Sequence, residues 1–401
     1  MAQGHRRPDP SPHSVFGALE RKPPDGLLSL IARFRDDPRA SKIDLGVGVF
    51  RNEEGVTPVM RAVKAAERIL VERQETKSYL GPEGNVGFVD RLKPVVFGEQ
   101  LAKDARLVGV QTPGGTGALR LAADVIASSS RARLWLGTPG WPNHEPIFSA
   151  AGLAVERYRA FDVENQTIRF DDIMTALKGA RAGDVVLLQG CCHNPTGADF
   201  DGAQWAALGE LISSRGLLPL VDFAYQGFAH GLEQDATGLA ALLSRAGEAL
   251  IAYSCNKNFG LYRERTGALF ALAQDGAVGE RVCSNMLSAA RATWSMPPDH
   301  GAAVVRTILE SNDLAADWRH ELEEMRARIA VVRRQLAACD NFFAPLARQN
   351  GMFSVLPIGP DAVARLQRDH AIYMAASGRI NVAGLRSGDI ARFAEAVRSV
   401  L

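Results

Sequence analysis

The sequence predicts an α/β protein: a mainly parallel sheet covered by helices on both faces, with a smaller α+β unit appended. Three observations carry this expectation. Short β-like runs alternate with helical patterns from about residue 40 onward, and strands separated by helical stretches favour parallel pairing. A long charged helical pattern then precedes a mixed segment at 351–401. Finally, 401 residues suffice for two or three structural units, at roughly 150 residues per unit.

The elements follow in chain order. The first fourteen residues, Met1 to Ser14, are rich in Pro, His and Arg. They lack the apolar stretch of a secretory signal, so a flexible tail is expected. Strands are expected at 107–111, 134–137, 185–189, 217–221 and 250–254, each a short apolar run. Helical periodicity falls at 118–127, 204–214, 301–310 and 315–338, the last dense in charge and suited to join two units.

Composition narrows the class. Hydrophobic residues are 46% and charged residues 23%, which excludes a disordered or fibrous chain. A net charge of +1 offers no field for nucleic acid or an anionic membrane. No apolar run approaches the roughly 18 residues of a spanning helix. Five cysteines, with Cys191 and Cys192 adjacent, make no disulfide framework and fit a reducing, cytoplasmic setting.

Eight of the 46 basic residues are lysines, leaving 38 arginines, and Lys257 is the only lysine after Lys178. Where arginine fills nearly every cationic role, a retained lysine suits a task that a guanidinium cannot perform, such as forming a Schiff base. Chance retention of a surface lysine is the alternative.

In open α/β sheets, ligands bind beyond the carboxyl ends of the strands. The 107–111 run leads into Thr112-Pro113-Gly114-Gly115-Thr116-Gly117 and a helix, a candidate anion loop. Arg120 stands where a dinucleotide fingerprint needs its third glycine. After 185–189 comes Gly190-Cys191-Cys192-His193-Asn194-Pro195-Thr196-Gly197; adjacent cysteines lack zinc-ligand spacing, and no metal is expected. Asp222 follows 217–221, with Tyr225 close behind; such a carboxylate is either a cap or a functional group. The 250–254 run ends in Ser254 and leads to Lys257 and Arg265. A phosphate cradle, an acid with a tyrosine, and a serine with a lysine converge at three strand ends.

These segments have ordered companions: Tyr79-Leu-Gly-Pro-Glu-Gly84, Trp141-Pro-Asn-His144, Arg291 and Ser377-Gly-Arg-Ile-Asn381. From about Val15 to Leu401 the chain resembles the aspartate and aromatic amino-acid aminotransferases, pyridoxal-phosphate enzymes of fold type I. The resemblance implies a seven-stranded, mainly parallel sheet in a large domain at 59–319, and a smaller domain formed by 15–58 and 320–401. It also implies a homodimer with shared active sites. The activity implied is transfer of the amino group of aspartate to 2-oxoglutarate by a ping-pong mechanism. An aromatic-amino-acid aminotransferase with aspartate as a minor substrate is the alternative.

By the same resemblance, Lys257 carries the cofactor covalently and then moves the substrate proton, which requires a depressed pKa. Asp222, supported by His144, partners the cofactor's ring nitrogen, where negative charge keeps that nitrogen protonated. Tyr225 and Asn194 match the residues that bond its phenolic oxygen. Gly115, Thr116, Ser254 and Arg265 match phosphate positions, and Tyr79 matches a phosphate contact reaching in from the second subunit. Trp141 packs on one cofactor face and Ala224 on the other. Arg379 matches the two-point clamp on the substrate α-carboxylate, with Gly48, Trp141 and Asn194 bordering the substrate. Arg291 matches the arginine that crosses between subunits to a side-chain carboxylate. Asn256 and Trp294 depart from the family's usual residues, and Trp294 is expected to reshape the side-chain pocket.

Overall fold

A computed structural model describes residues 16–17, 19–22, 26–129 and 131–401, so the expected tail lies outside the described residues. Its centre is a seven-stranded sheet built from β1 (Leu107–Pro113), β2 (Arg133–Thr138), β3 (Ala154–Arg159), β4 (Val185–Gln189), β5 (Leu218–Phe223), β6 (Ala249–Ser254) and β7 (Thr266–Leu272). The spatial order is β1-β7-β6-β5-β4-β2-β3. Only β7 runs against its neighbours, β1 and β6; the remaining pairs are parallel. All five expected strands are present, within two residues of their expected limits.

Two strands escaped the sequence pattern, for different reasons. β3 is an edge strand whose Glu156, Arg157 and Arg159 blunt its apolar signal. β7 reads Thr-Gly-Ala-Leu-Phe-Ala-Leu and is buried at every position, so it has neither alternation nor many β-branched residues to mark it.

The sheet is buried on both faces because successive side chains point to opposite sides. Val186, Leu188, Val221 and Ile251 join one apolar cluster, while Val185, Leu187, Leu220 and Leu250 join another on the opposite face. A third cluster draws on chain segments before and after the sheet, where Leu45, Leu336, Phe343, Ile380 and Phe393 pack together. There Ile43–Asp44 pairs parallel with Ile372–Tyr373, and Phe353–Val355 pairs antiparallel with Arg379–Asn381. The long connecting helix is Asn312–Cys339, 28 residues. No helix among the described residues is long and apolar enough to cross a membrane.

Candidate active site

The carboxyl ends of β1, β2, β4, β5 and β6 share one edge of the sheet, and Val47, Gly48, Phe353 and Arg379 face residues of that edge. Between them lies a cavity of about 300 Å³. Asp222 sits inside β5 instead of following it, in register with Gln189 of β4 and Ala252 of β6. Continuous pairing extends the strand past its expected end at 221, and this corrects the helix-cap alternative. The carboxylate Oδ2 lies 2.8 Å from His144 Nε2, with both groups buried.

The glycine loop after β1 turns directly into the helix Gly114–Ser129. Gly114 has φ 70°, and a Cβ there would stand 2.9 Å from both Arg265 Nη2 and Asn256 Nδ2, so only glycine fits. The first-turn residues Gly115 and Thr116 border the cavity with Ser254 and Arg265. Backbone N–H groups, a helix N-terminus and a guanidinium make this end an anion cradle. Burial lowers the Arg265 pKa from its ordinary value.

In the same cavity, the Lys257 amine lies 5.0 Å from the centroid of the Tyr225 ring. Its pKa drops to about 8, chiefly because burial penalises the ammonium; nearby Arg265 adds to the drop and Asp222 opposes it. Burial, reinforced by Asp222, pushes the Tyr225 phenol well above its usual range, so it stays protonated. Asn194 Nδ2 donates to the Tyr225 hydroxyl at 3.4 Å. The far wall is Arg379, stacked 4.7 Å from the Phe353 ring centroid and donating from Nη2 to the Gly46 carbonyl at 2.8 Å. Its buried Nε has no protein partner. A Cβ on Gly48 would stand 2.7 Å from Phe353 Cζ, which explains a glycine at that point of the wall.

The fold thus gathers Gly48, Gly115, Thr116, Trp141, Asn194 and Asp222 around one cavity with Tyr225, Ser254, Lys257, Arg265 and Arg379, and places His144 directly behind Asp222. Two expected residues stand apart from it in this chain. Tyr79 is 94% exposed, and Arg291 is exposed at the end of helix Gly276–Thr293, bonded to the Ser295 hydroxyl. Trp294, three residues after Arg291, is half-buried against the apolar cluster on one sheet face.

Six further residues line the cavity without having been expected there: the apolar Leu27, Val47 and Leu119, and Gln189, Asn256 and Phe353. Gln189 grips the Asn194 backbone at both ends: Nε2 donates to its carbonyl and Oε1 accepts its N–H, each at 2.8 Å. A polar residue closing the run Val-Val-Leu-Leu was the available signal. Phe353 carried none. Asn256, noticed only as a departure, accepts the Thr266 N–H through Oδ1 at 3.1 Å and borders the cradle. Cys191, Cys192 and Asp235 bring ligand-type atoms within 4.8 Å of one another, but Asp235 already accepts the N–H groups of Gly227, Ala229 and His230.

A depressed amine, a buried carboxylate, a protonated phenol, an anion cradle and a guanidinium with an unpaired Nε surround one space, which suits proton transfer on an anionic ligand. The family described as aminotransferase class I and II matches residues 40–397. A tyrosine aminotransferase of Rhizobium meliloti is 53% identical over 95% of this chain and 98% of its own. An aspartate aminotransferase of Salmonella typhi is 46% identical over 96% of this chain and 100% of its own. The crystal structure of an aromatic-amino-acid aminotransferase from Burkholderia pseudomallei, covalently bound to pyridoxal phosphate, superposes with a TM-score of 0.93 at 36% identity, covering 97% of this chain and 100% of that one. The donor set fits such a cofactor: an amine for its aldehyde, a carboxylate for its ring nitrogen, a phenol and an amide for its ring oxygen, and the cradle for its phosphate. The chain belongs to the class I and II aminotransferases and is a pyridoxal-phosphate-dependent transaminase.

Proposed function

We propose that this chain moves the amino group of aspartate to 2-oxoglutarate in a ping-pong cycle, as a cytoplasmic homodimer with shared active sites. The observation that carries the reading is the pairing, in one cavity, of an amine with a pKa of about 8 and the Arg379 guanidinium, whose Nε is free. Pyridoxal phosphate, when bound, supplies an electron-accepting ring and a carbon that takes up the amino group.

The protein's own groups do the rest. Lys257 takes the proton from the substrate Cα and returns it; a pKa of about 8 leaves a larger fraction unprotonated near neutrality than an ordinary lysine has. Arg379 holds the α-carboxylate by two parallel hydrogen bonds and so fixes which Cα bond faces the lysine. The Asp222 carboxylate, oriented by His144, holds a proton on the ring nitrogen. Tyr225 and Asn194 donate to the ring oxygen. Gly115, Thr116, Ser254 and Arg265 bind the phosphate, joined by Tyr79 from the second subunit. Trp141 and Ala224 cover the two ring faces, and Gly48 leaves room for the substrate. Arg291 of the second subunit binds the side-chain carboxylate of aspartate. Residues 15–58 with 320–401 form the smaller domain and 59–319 the larger, in keeping with the separate apolar cluster of the former.

A second reading, an enzyme that prefers aromatic donors, draws on the 53% identity to a tyrosine aminotransferase and on the apolar walls Leu27, Val47, Leu119 and Phe353. The purified protein should show a yellow absorption band that shifts when aspartate is added, and Lys257→Ala should abolish turnover. A colourless protein unmoved by added pyridoxal phosphate would overturn the proposal. Steady-state kinetics with aspartate, tyrosine and phenylalanine separate the two readings: a kcat/KM for aspartate far below the aromatic values selects the second.

A further inference from the structure

We infer that Tyr253 is a positioning residue for Lys257: its buried hydroxyl ties the loop that carries the lysine to the turn that carries Tyr225. This rests on the proposed role of Lys257 as the group that moves the substrate proton.

Strand alternation separates two neighbours at the end of β6. Ser254 borders the cavity, and Tyr253 points to the opposite face of the sheet. There it stands opposite Phe223 in register, with ring centroids 5.7 Å apart at 79°. The hydroxyl accepts a hydrogen bond from Asn258 Nδ2 and donates one to Gln226 Oε1, both at 2.8 Å. Asn258 follows Lys257 in the chain, and Gln226 follows Tyr225. One oxygen atom therefore joins the two segments whose side chains meet in the cavity.

Both ends of this bridge are anchored. Trp318, on the long connecting helix, donates from Nε1 to the Asn258 carbonyl at 2.8 Å and stacks on Phe259 at 4.2 Å. Gln226 Nε2 donates to the Val95 and Leu232 carbonyls, each at 2.8 Å. Tyr253, Gln226, Asn258 and Trp318 are all fully buried. Water cannot replace a lost partner in such a chain, so removing the hydroxyl leaves a donor and an acceptor unpaired and frees both segments to shift. The lysine amine itself meets Tyr225 only as a soft contact, 5.0 Å from the ring centroid. Its alignment thus falls to the loop, and a displacement of about 1 Å at a reacting group can cost on the order of 10²-fold in rate.

The test is Tyr253→Phe in the holoenzyme. The expected result is a fall in kcat for aspartate of about tenfold to 10²-fold, with KM changed less than about twofold because Arg379 is untouched. The primary isotope effect with α-deuterated aspartate should rise as proton transfer becomes slower. A variant with wild-type kcat and isotope effect would overturn the inference, even if its melting temperature dropped. Should Tyr253→Phe not fold, Trp318→Phe decides instead: it removes the donor to the Asn258 carbonyl and trims the ring stacked on Phe259, and should give the same kcat-without-KM change in smaller measure; wild-type behaviour would again overturn the inference. Wild-type turnover in Lys257→Ala would sink the proton-carrier reading itself, whatever Tyr253→Phe does.

Discussion

Burial is what makes the Lys257 amine chemically useful, and the same burial leaves a thermodynamic trace. The pKa falls from 10.5 to about 8 in the folded chain. Between those values the unfolded state binds more protons than the folded one, so the stability contributed at this position rises with pH through that window. Below it, both states hold the proton and the full cost of burying an ammonium is felt. From pH 8 to about pH 9.5 the wild-type apoprotein should therefore gain about 1.5 kcal/mol relative to Lys257→Met in urea unfolding. Parallel pH curves for the two would mean that the lysine titrates as an exposed one does. Lysine scarcity and the position of Lys257 after a strand made this residue conspicuous in the sequence. Its supports were not. Tyr253 and Phe353 act through contacts with residues distant in the chain and Gln189 through the turn that follows it, and the residue types at 253 and 353 are ordinary for strands.

At the level of elements, apolar runs bounded by glycine-rich or polar turns located five of the seven sheet strands, because each is a locally complete signal. β3 and β7 lacked that signal for the reasons their burial shows: one is too exposed, the other too uniformly buried. How helices are fastened to one another was also invisible. Glu321, on the long helix Asn312–Cys339, accepts the Arg61 and Ala62 N–H groups at 2.7 and 3.0 Å, capping a helix 260 positions away in the chain. Replacing it by alanine should cost about 2 kcal/mol, seen as a lower urea midpoint. Since Glu321 is not among the residues lining the cavity, kcat should hold. Unchanged stability would mean that water caps those N–H groups equally well.

For the whole molecule, the exposure of Tyr79 and Arg291 bears on assembly. Both lie outside the cavity that holds Lys257 and Arg379, yet both belong to the ordered set of motifs that marks the site. If each site borrows Arg291 from the second subunit, Lys257→Ala and Arg291→Ala chains should complement each other. A mixed dimer holds one intact site, so an equal mixture refolded together should recover about a quarter of wild-type aspartate activity. Additive activity of the separate variants would place both residues in one chain's site. The sequence by itself determined the class of the fold, the order of its motifs and the chemical types at the strand ends, because these depend on local periodicity and on residue identity. Only the tertiary structure decided that Asp222 lies within a strand against His144, that Tyr253 bridges two loops, and that burial depresses the Lys257 amine. Those properties arise from water exclusion and from contacts between residues far apart in the chain, and no local pattern encodes either.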